Sequence, residues 1–152
     1  MNQLSENISI RMVNKAEAAE WVNFLHSTRL GIGLVILLGG DRWICVDKAV
    51  LASVDNKTVG IATIASEGEM MNGEPTIVAI YVLPENRKNG VGYRLLEGAV
   101  DQILTEDAGP IRLDVLNSKM LKTIARLPAE KRQKLNVIDI SMNGTMDETL
   151  EK

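Results

Sequence analysis

The chain has 152 residues, 45% of them apolar and 24% charged, with a formal net charge of −3, which suits one domain built around one core. That acidic balance argues against broad attraction to nucleic acid or to an anionic membrane, and 3% aromatic residues leave few base-stacking platforms. The single cysteine, Cys45, rules out an internal disulfide framework and points to a reducing compartment.

Met1 to Asn7 is polar, and no signal segment is expected there. The run Leu34 to Leu38 is far shorter than the ~20 residues a membrane helix needs, so the expectation is a soluble, cytoplasmic protein. Ile8 to Val13 alternates and is predicted as a strand. Asn14 is placed as a helix N-cap, with Glu17 three residues on as in a capping box. Ala18, Trp21, Val22 and Leu25 recur at helical spacing, predicting a helix from Lys15 to about Thr28 that Leu30-Gly31-Ile32-Gly33 breaks. Leu34 to Asp47 reads as two short apolar segments about a Gly39-Gly40-Asp41 turn. Ala49 to Val54 and Val59 to Ala65 flank Asp55-Asn56-Lys57-Thr58, a hairpin signal.

Ser66 to Pro75 is polar and reads as a mobile loop, and Thr76 to Pro84 reads as a strand buried on both faces. Val91, Leu95, Leu96, Ala99, Val100, Ile103 and Leu104 form one helical stripe. After a break at Glu106 to Pro110, Ile111 to Leu116 is a strand and Ser118 to Leu127 a short helix stopped near Pro128. Leu135 to Ser141 is a last strand. The expectation is an α/β fold in one domain over residues 1–141, with 142–152 a flexible tail.

The segment Arg87-Lys88-Asn89-Gly90-Val91-Gly92 joins the apolar strand to the amphipathic helix. A tight glycine turn at that place points several backbone N–H groups at one spot before a helix N-terminus, where the dipole also favours an anion. Gly90 and Gly92 let a ligand approach the backbone. Arg87 and Lys88 oppose the dipole unless an anion sits between them. Gly-Lys-Ser/Thr is absent, so the nucleotide P-loop does not fit. A dinucleotide fingerprint needs a small third residue, and the chain has Leu95 after Gly90/Gly92 and Ile36 after Gly31/Gly33.

The segment resembles the Arg/Gln-x-x-Gly-x-Gly/Ala signature of the GCN5-related N-acetyltransferases, with Ile80 to Asn86 similar to the usual lead-in and Tyr93-Arg94-Leu95-Leu96 continuing it. The resemblance implies an acyl-CoA N-acyltransferase-like fold, a mixed and mostly antiparallel sheet flanked by helices. It implies acetyl-CoA as co-substrate, its pyrophosphate held by the backbone from Lys88 to Gly92. Ile80, Tyr81, Val82, Arg87, Lys88, Asn89, Gly90, Val91, Gly92, Tyr93 and Asn117 become the expected cofactor contacts. The Val82 N–H would polarise the thioester carbonyl.

Many family members carry a carboxylate two residues before the position of Ile80, and a tyrosine in Asn-x-x-Ala-x-x-x-Tyr; here those positions hold Val78 and, after Asn117 and Met120, Ile124. The remaining candidates for proton transfer are Tyr81, Ser118, His26 and the carboxylates Glu67, Glu69 and Glu74, of which Ser118 also suits helix capping. One histidine and one cysteine make no zinc set, so no metal is expected. Acceptor contacts are expected from the first helix, Leu30 to Asp47 and Ser66 to Pro75. The leading expectation is acetyl transfer to a primary amine of a small molecule or protein. The alternative is an acyl-CoA-binding or regulatory module without turnover, and a homodimer through the C-terminal strands is a family expectation.

Overall fold

The computed structural model describes residues 7–25, 27, 40–66, 73–106, 109–115 and 118–139. Among them, six strands form one sheet in chain order: β1 (Ile8–Asn14), β2 (Lys48–Val54), β3 (Lys57–Ala65), β4 (Thr76–Val82), β5 (Ile111–Val115) and β6 (Leu135–Asp139). The ladders from β1 through β4 are antiparallel, and β4–β5 and β5–β6 are parallel. The helices are α1 (Lys15–Leu25), α2 (Val91–Leu104), α3 (Ser118–Ala125) and α4 (Ala129–Arg132), with 3-10 turns at Gly40–Cys45 and Pro84–Asn86. This is the α/β single domain with a mixed, mostly antiparallel sheet that the sequence implies.

Asn14 caps α1: its Oδ1 accepts the Glu17 N–H at 2.8 Å. The Glu17 carboxylate turns to Arg11 at 2.7 Å. Ala18, Val22 and Leu25 are the buried face of α1. Lys15 Nζ donates to the Trp43 carbonyl at 2.9 Å and lies 5.2 Å from the Trp43 ring centroid, tying the first 3-10 turn to α1. The β2–β3 hairpin is tighter than its sequence suggests. Asp55 (φ 53°) and Asn56 (φ 65°) are both left-handed, as a two-residue type I′ turn requires. Lys57 and Thr58 therefore sit in the ladder, opposite Val54 and Ser53.

Helix α2 packs across β1, β2, β3 and β4 and buries Val91, Leu95, Leu96, Ala99, Val100 and Ile103. It comes closest at Gly60, where a Cβ would stand 2.8 Å from Leu95 Cδ1, 3.1 Å from the Tyr81 carbonyl and 3.3 Å from Val91 Cγ1. Helix α4 has no counterpart in the sequence expectation. Its Lys131 pairs with Asp101 at 3.0 Å and Glu97 at 3.2 Å on α2. Arg132 Nη1 donates to the carbonyls of Ala125 and Leu127 and closes the end of α3. Leu135 and Val137 of β6 are half-buried against the core instead of exposed. The expected Gly31/Gly33 break, the Leu34–Leu38 run and the tail beyond Met142 lie outside the described residues.

Two outcomes follow. Gly60→Val should lower the free energy of unfolding by about 1–3 kcal/mol in urea titrations, because the added carbons displace α2. The carboxylates of Asp101 and Glu97 raise the Lys131 pKa above its usual 10.5. Its contribution is therefore complete below pH 10.5 and is lost as pH rises through the higher folded-state value. Melts of the native chain and Lys131→Met should accordingly converge at the alkaline end.

Candidate functional site

The turn between β4 and α2 has the backbone of an anion nest. Lys88 (φ 70°) and Gly90 (φ 87°) are both left-handed, and alternation of hands makes successive N–H groups converge. Gly90 is the N-cap of α2 and supplies no side-chain cap, and no acidic residue occupies the first turn. The first helical hydrogen bond here is Arg94 N–H to the Gly90 carbonyl at 3.1 Å. The orphan donors of Val91, Gly92 and Tyr93 therefore lack the partner that Asn14 gives α1. At Gly92, a Cβ would meet nothing within 4 Å. Protein packing does not require that glycine, and the space in front of it is open.

Arg87, an expected cofactor contact, lines the cleft and is also tied to the protein itself. Its Nε donates to the Val82 carbonyl at 2.8 Å, and its guanidinium lies 5.3 Å from the Tyr81 ring centroid. It braces the strand end against the turn while its other donors stay at the cleft wall.

The pairing of β4 with β5 stops at Ile77 opposite Leu113. Leu83 N–H donates to Val59 on β3, so alternation turns the N–H groups of Ile80 and Val82 to the opposite edge, towards β5. Val82 lies opposite Gly60 and shares its face, the one α2 covers. Tyr81 therefore points to the other face, where it is buried. Val78 is the extra residue of a β-bulge between Ile77 and Ala79. Thr63, fully buried, donates its hydroxyl to the Ala79 carbonyl at 3.4 Å beside it.

Beyond the strand end is a cleft of about 390 Å³, formed by Val82, the turn from Arg87 to Tyr93, Lys119 and Thr123 of α3, and Arg126 just past the end of α3. Among the described residues it carries four cations and no carboxylate. A larger cleft of about 700 Å³ lies between α1 and the hairpin, with Trp21 and Phe24 on one wall. Its charges are mixed, Asp55 and Glu85 against Lys57, so the smaller cleft, whose described charges are all positive, is the one that suits an anion.

The model of the acetyltransferase (GNAT) family matches residues 24–125. The chain belongs to this family. It is also similar in fold to an aminoglycoside acetyltransferase from an uncultured soil metagenomic sample, solved in complex with sisomicin (TM-score 0.56, 12% identity, 84% of this chain and 91% of that one). Another similar fold is aminoglycoside N-acetyltransferase AAC(6')-Iy in complex with CoA (TM-score 0.53, 20% identity, 79% and 90% of the two chains). Among curated proteins, elongation factor Ts of Paracidovorax citrulli (strain AAC00-1) is 24% identical over 107 residues, 70% of this chain. The chain spans 35% of the length of that relative.

The two positions where family members often carry proton-transfer groups are dry. Val78 packs with Val46 and Ala65, against half-buried Trp43 and Cys45, and Ile124 is buried in the main core. Glu74 precedes the far end of β4 and accepts a hydrogen bond from Asn136 at 3.0 Å. The strand's seven residues, at about 3.3 Å each, carry Val82 roughly 20 Å away, so Glu74 is not part of this cleft. Ser118 is the first residue of α3 and not its cap. Tyr93 lines the cleft, under Arg126. Asn89, next to Gly90, is half-buried. His26, Glu67, Glu69 and Asn117 lie outside the described residues. No described helix is long and apolar enough to cross a membrane.

Sequence reasoning did not include Lys119 and Arg126. Their spacing along α3 and the residue after it was visible, but their approach to the glycine turn depends on how α3 packs.

Gly92→Ala separates ligand access from stability. The melting temperature should hold or rise, since alanine favours a helix by up to about 1 kcal/mol. Affinity for acetyl-CoA in calorimetry should stay within about twofold, since the signature admits alanine at this position, and should fall by roughly tenfold only in Gly92→Leu, whose longer side chain enters the space before the nest.

Proposed function

We propose that this chain is an acetyl-CoA-dependent N-acetyltransferase that moves an acetyl group from the thioester to a primary amine of a small molecule or a protein. The observation that carries the proposal is the N-terminus of α2, without a side-chain cap, opening into a cleft whose charged residues among those described are all cations. The backbone from Lys88 to Gly92 would hold the pyrophosphate. The pantetheine arm would run along the unpaired edge of β4, where Ile80 and Val82 offer N–H groups at the alternate-residue spacing an extended amide chain can meet. The amine nitrogen attacks the thioester carbonyl carbon, the oxygen gains charge that the Val82 N–H stabilises, and the C–S bond breaks to release the thiolate.

With Val78 and Ile124 both apolar and buried, the chain supplies no side-chain base at either position. Catalysis then rests on proximity and on thioester polarisation, with water carrying the protons. The neutral fraction of the acceptor sets the rate. The value of kcat/KM should climb tenfold per pH unit up to the acceptor's own ammonium pKa, without an earlier plateau from an enzyme carboxylate. The single cysteine supports a reducing, cytoplasmic setting.

The same two residues favour a second reading, an acyl-CoA-binding module without turnover. Thiol release measured over a panel of primary amines decides between them. Turnover with any amine supports the enzyme, and binding of acetyl-CoA with no release supports the module. Gly90→Glu should abolish acetyl-CoA binding in a thermal-shift assay, since it places bulk, strain and negative charge in the nest. Undiminished binding by that variant would place the coenzyme elsewhere.

A further inference from the structure

Tyr81 is only 5% exposed, and among the described residues its hydroxyl has no hydrogen-bond partner. A buried O–H without a partner is costly, and native interiors hold few of them. The sheet around it supplies no acceptor. Ile61 stands opposite Tyr81 on β3, and the neighbouring Thr63 hydroxyl is turned to the Ala79 carbonyl at 3.4 Å. Phenylalanine would fill the same volume, so packing does not call for the oxygen.

Arg87 shows where the ring stands. The Leu83 N–H points to β3, so the Val82 carbonyl points the other way, into the gap between β4 and β5. Arg87 Nε donates to that carbonyl at 2.8 Å, and the same guanidinium lies 5.3 Å from the Tyr81 ring centroid. The ring therefore borders the gap, on the face of the sheet away from α2.

We infer that the Tyr81 hydroxyl is the catalytic acid that protonates the departing sulfur. The inference rests on the acetyl-transfer reading above. A thioester whose carbonyl oxygen is held by the Val82 N–H lies in this gap, next to Tyr81. Helix α2 covers one face there, so the amine arrives on the other, the face of Tyr81. The amine nitrogen bonds to the carbonyl carbon, the C–S bond breaks, and its electron pair passes to sulfur. The Tyr81 O–H proton moves to that sulfur, and the coenzyme leaves as a thiol. Water returns to the phenolate the proton that the amine gives up. Tyr81 takes no proton from the amine itself, so the rise of kcat/KM with the neutral fraction of the acceptor is unchanged.

The isosteric variant Tyr81→Phe tests this with three measurements on the full chain. Calorimetry should give the native affinity for acetyl-CoA within about twofold, because the glycine turn and its donors are untouched. The melting temperature should hold or rise, because an unbonded buried hydroxyl is removed. Single-turnover thiol release, with the primary amine that the native chain acetylates fastest, should slow by roughly 100-fold. Slowing by less than about tenfold overturns the acid role and leaves the acetyltransferase reading standing. A clear drop in melting temperature or in acetyl-CoA affinity also overturns it, since the hydroxyl then serves the fold or the coenzyme. No thiol release from the native chain with any amine overturns both.

Discussion

The contact between α2 and β3 at Gly60 sets the position of everything the site uses. Without a Cβ there, Val91 and Leu95 settle onto the sheet directly opposite Val82. The first turn of the helix thereby stands beside the last residue of the strand that leads into it. The connection must then reverse within a few residues, and it does so through left-handed Lys88 and Gly90. A non-glycine residue held left-handed carries a cost of about 1–2 kcal/mol, which the packing of α2 across four strands is large enough to impose. The donor-rich turn is thus a consequence of how tightly the helix is seated.

Charge and dryness divide the molecule along β4. At its C-terminal end the backbone donors of the turn lie near cations of the turn itself and of α3 and the residue that follows it. Further back, the bulge at Val78 is covered by Val46, Ala65 and the Trp43–Cys45 segment, which Lys15 fastens from α1. One end gathers backbone donors and positive charge. The other is lined mainly by apolar side chains and carries no carboxylate in its cluster of described residues.

The parts of the fold that sequence made legible are those where one signal dominates. Helix α2 occupies Val91–Leu104 as its apolar stripe predicts, and the hairpin, β4 and β5 fall within a residue or two of their expected bounds. Helix α4 was not legible because Ala129–Arg132 is a single turn without apolar period, held by ion pairs to α2 that no local pattern announces. The glycine turn could be read because backbone geometry follows from residue type. The orientation of Tyr81 could not, since it depends on the register of β4 against β3 and on the face α2 covers. The hydrogen bond from Arg87 to the Val82 carbonyl was hidden for a similar reason, since it depends on how the turn folds back on the strand end.

An unpaired strand edge is ordinarily a hazard, because any neighbouring chain in extended form can add to it. Among the described residues the edge of β4 beyond Ile77 is such a row, yet it faces β5 alongside and the α3 wall beyond. A second polypeptide strand brings side chains on both faces and needs about 4.8 Å of lateral room along its whole length. A slender chain with amides and no branches needs much less. Keeping this edge in the interior therefore selects against self-association through β4, and leaves its donors to molecules thin enough to be threaded in.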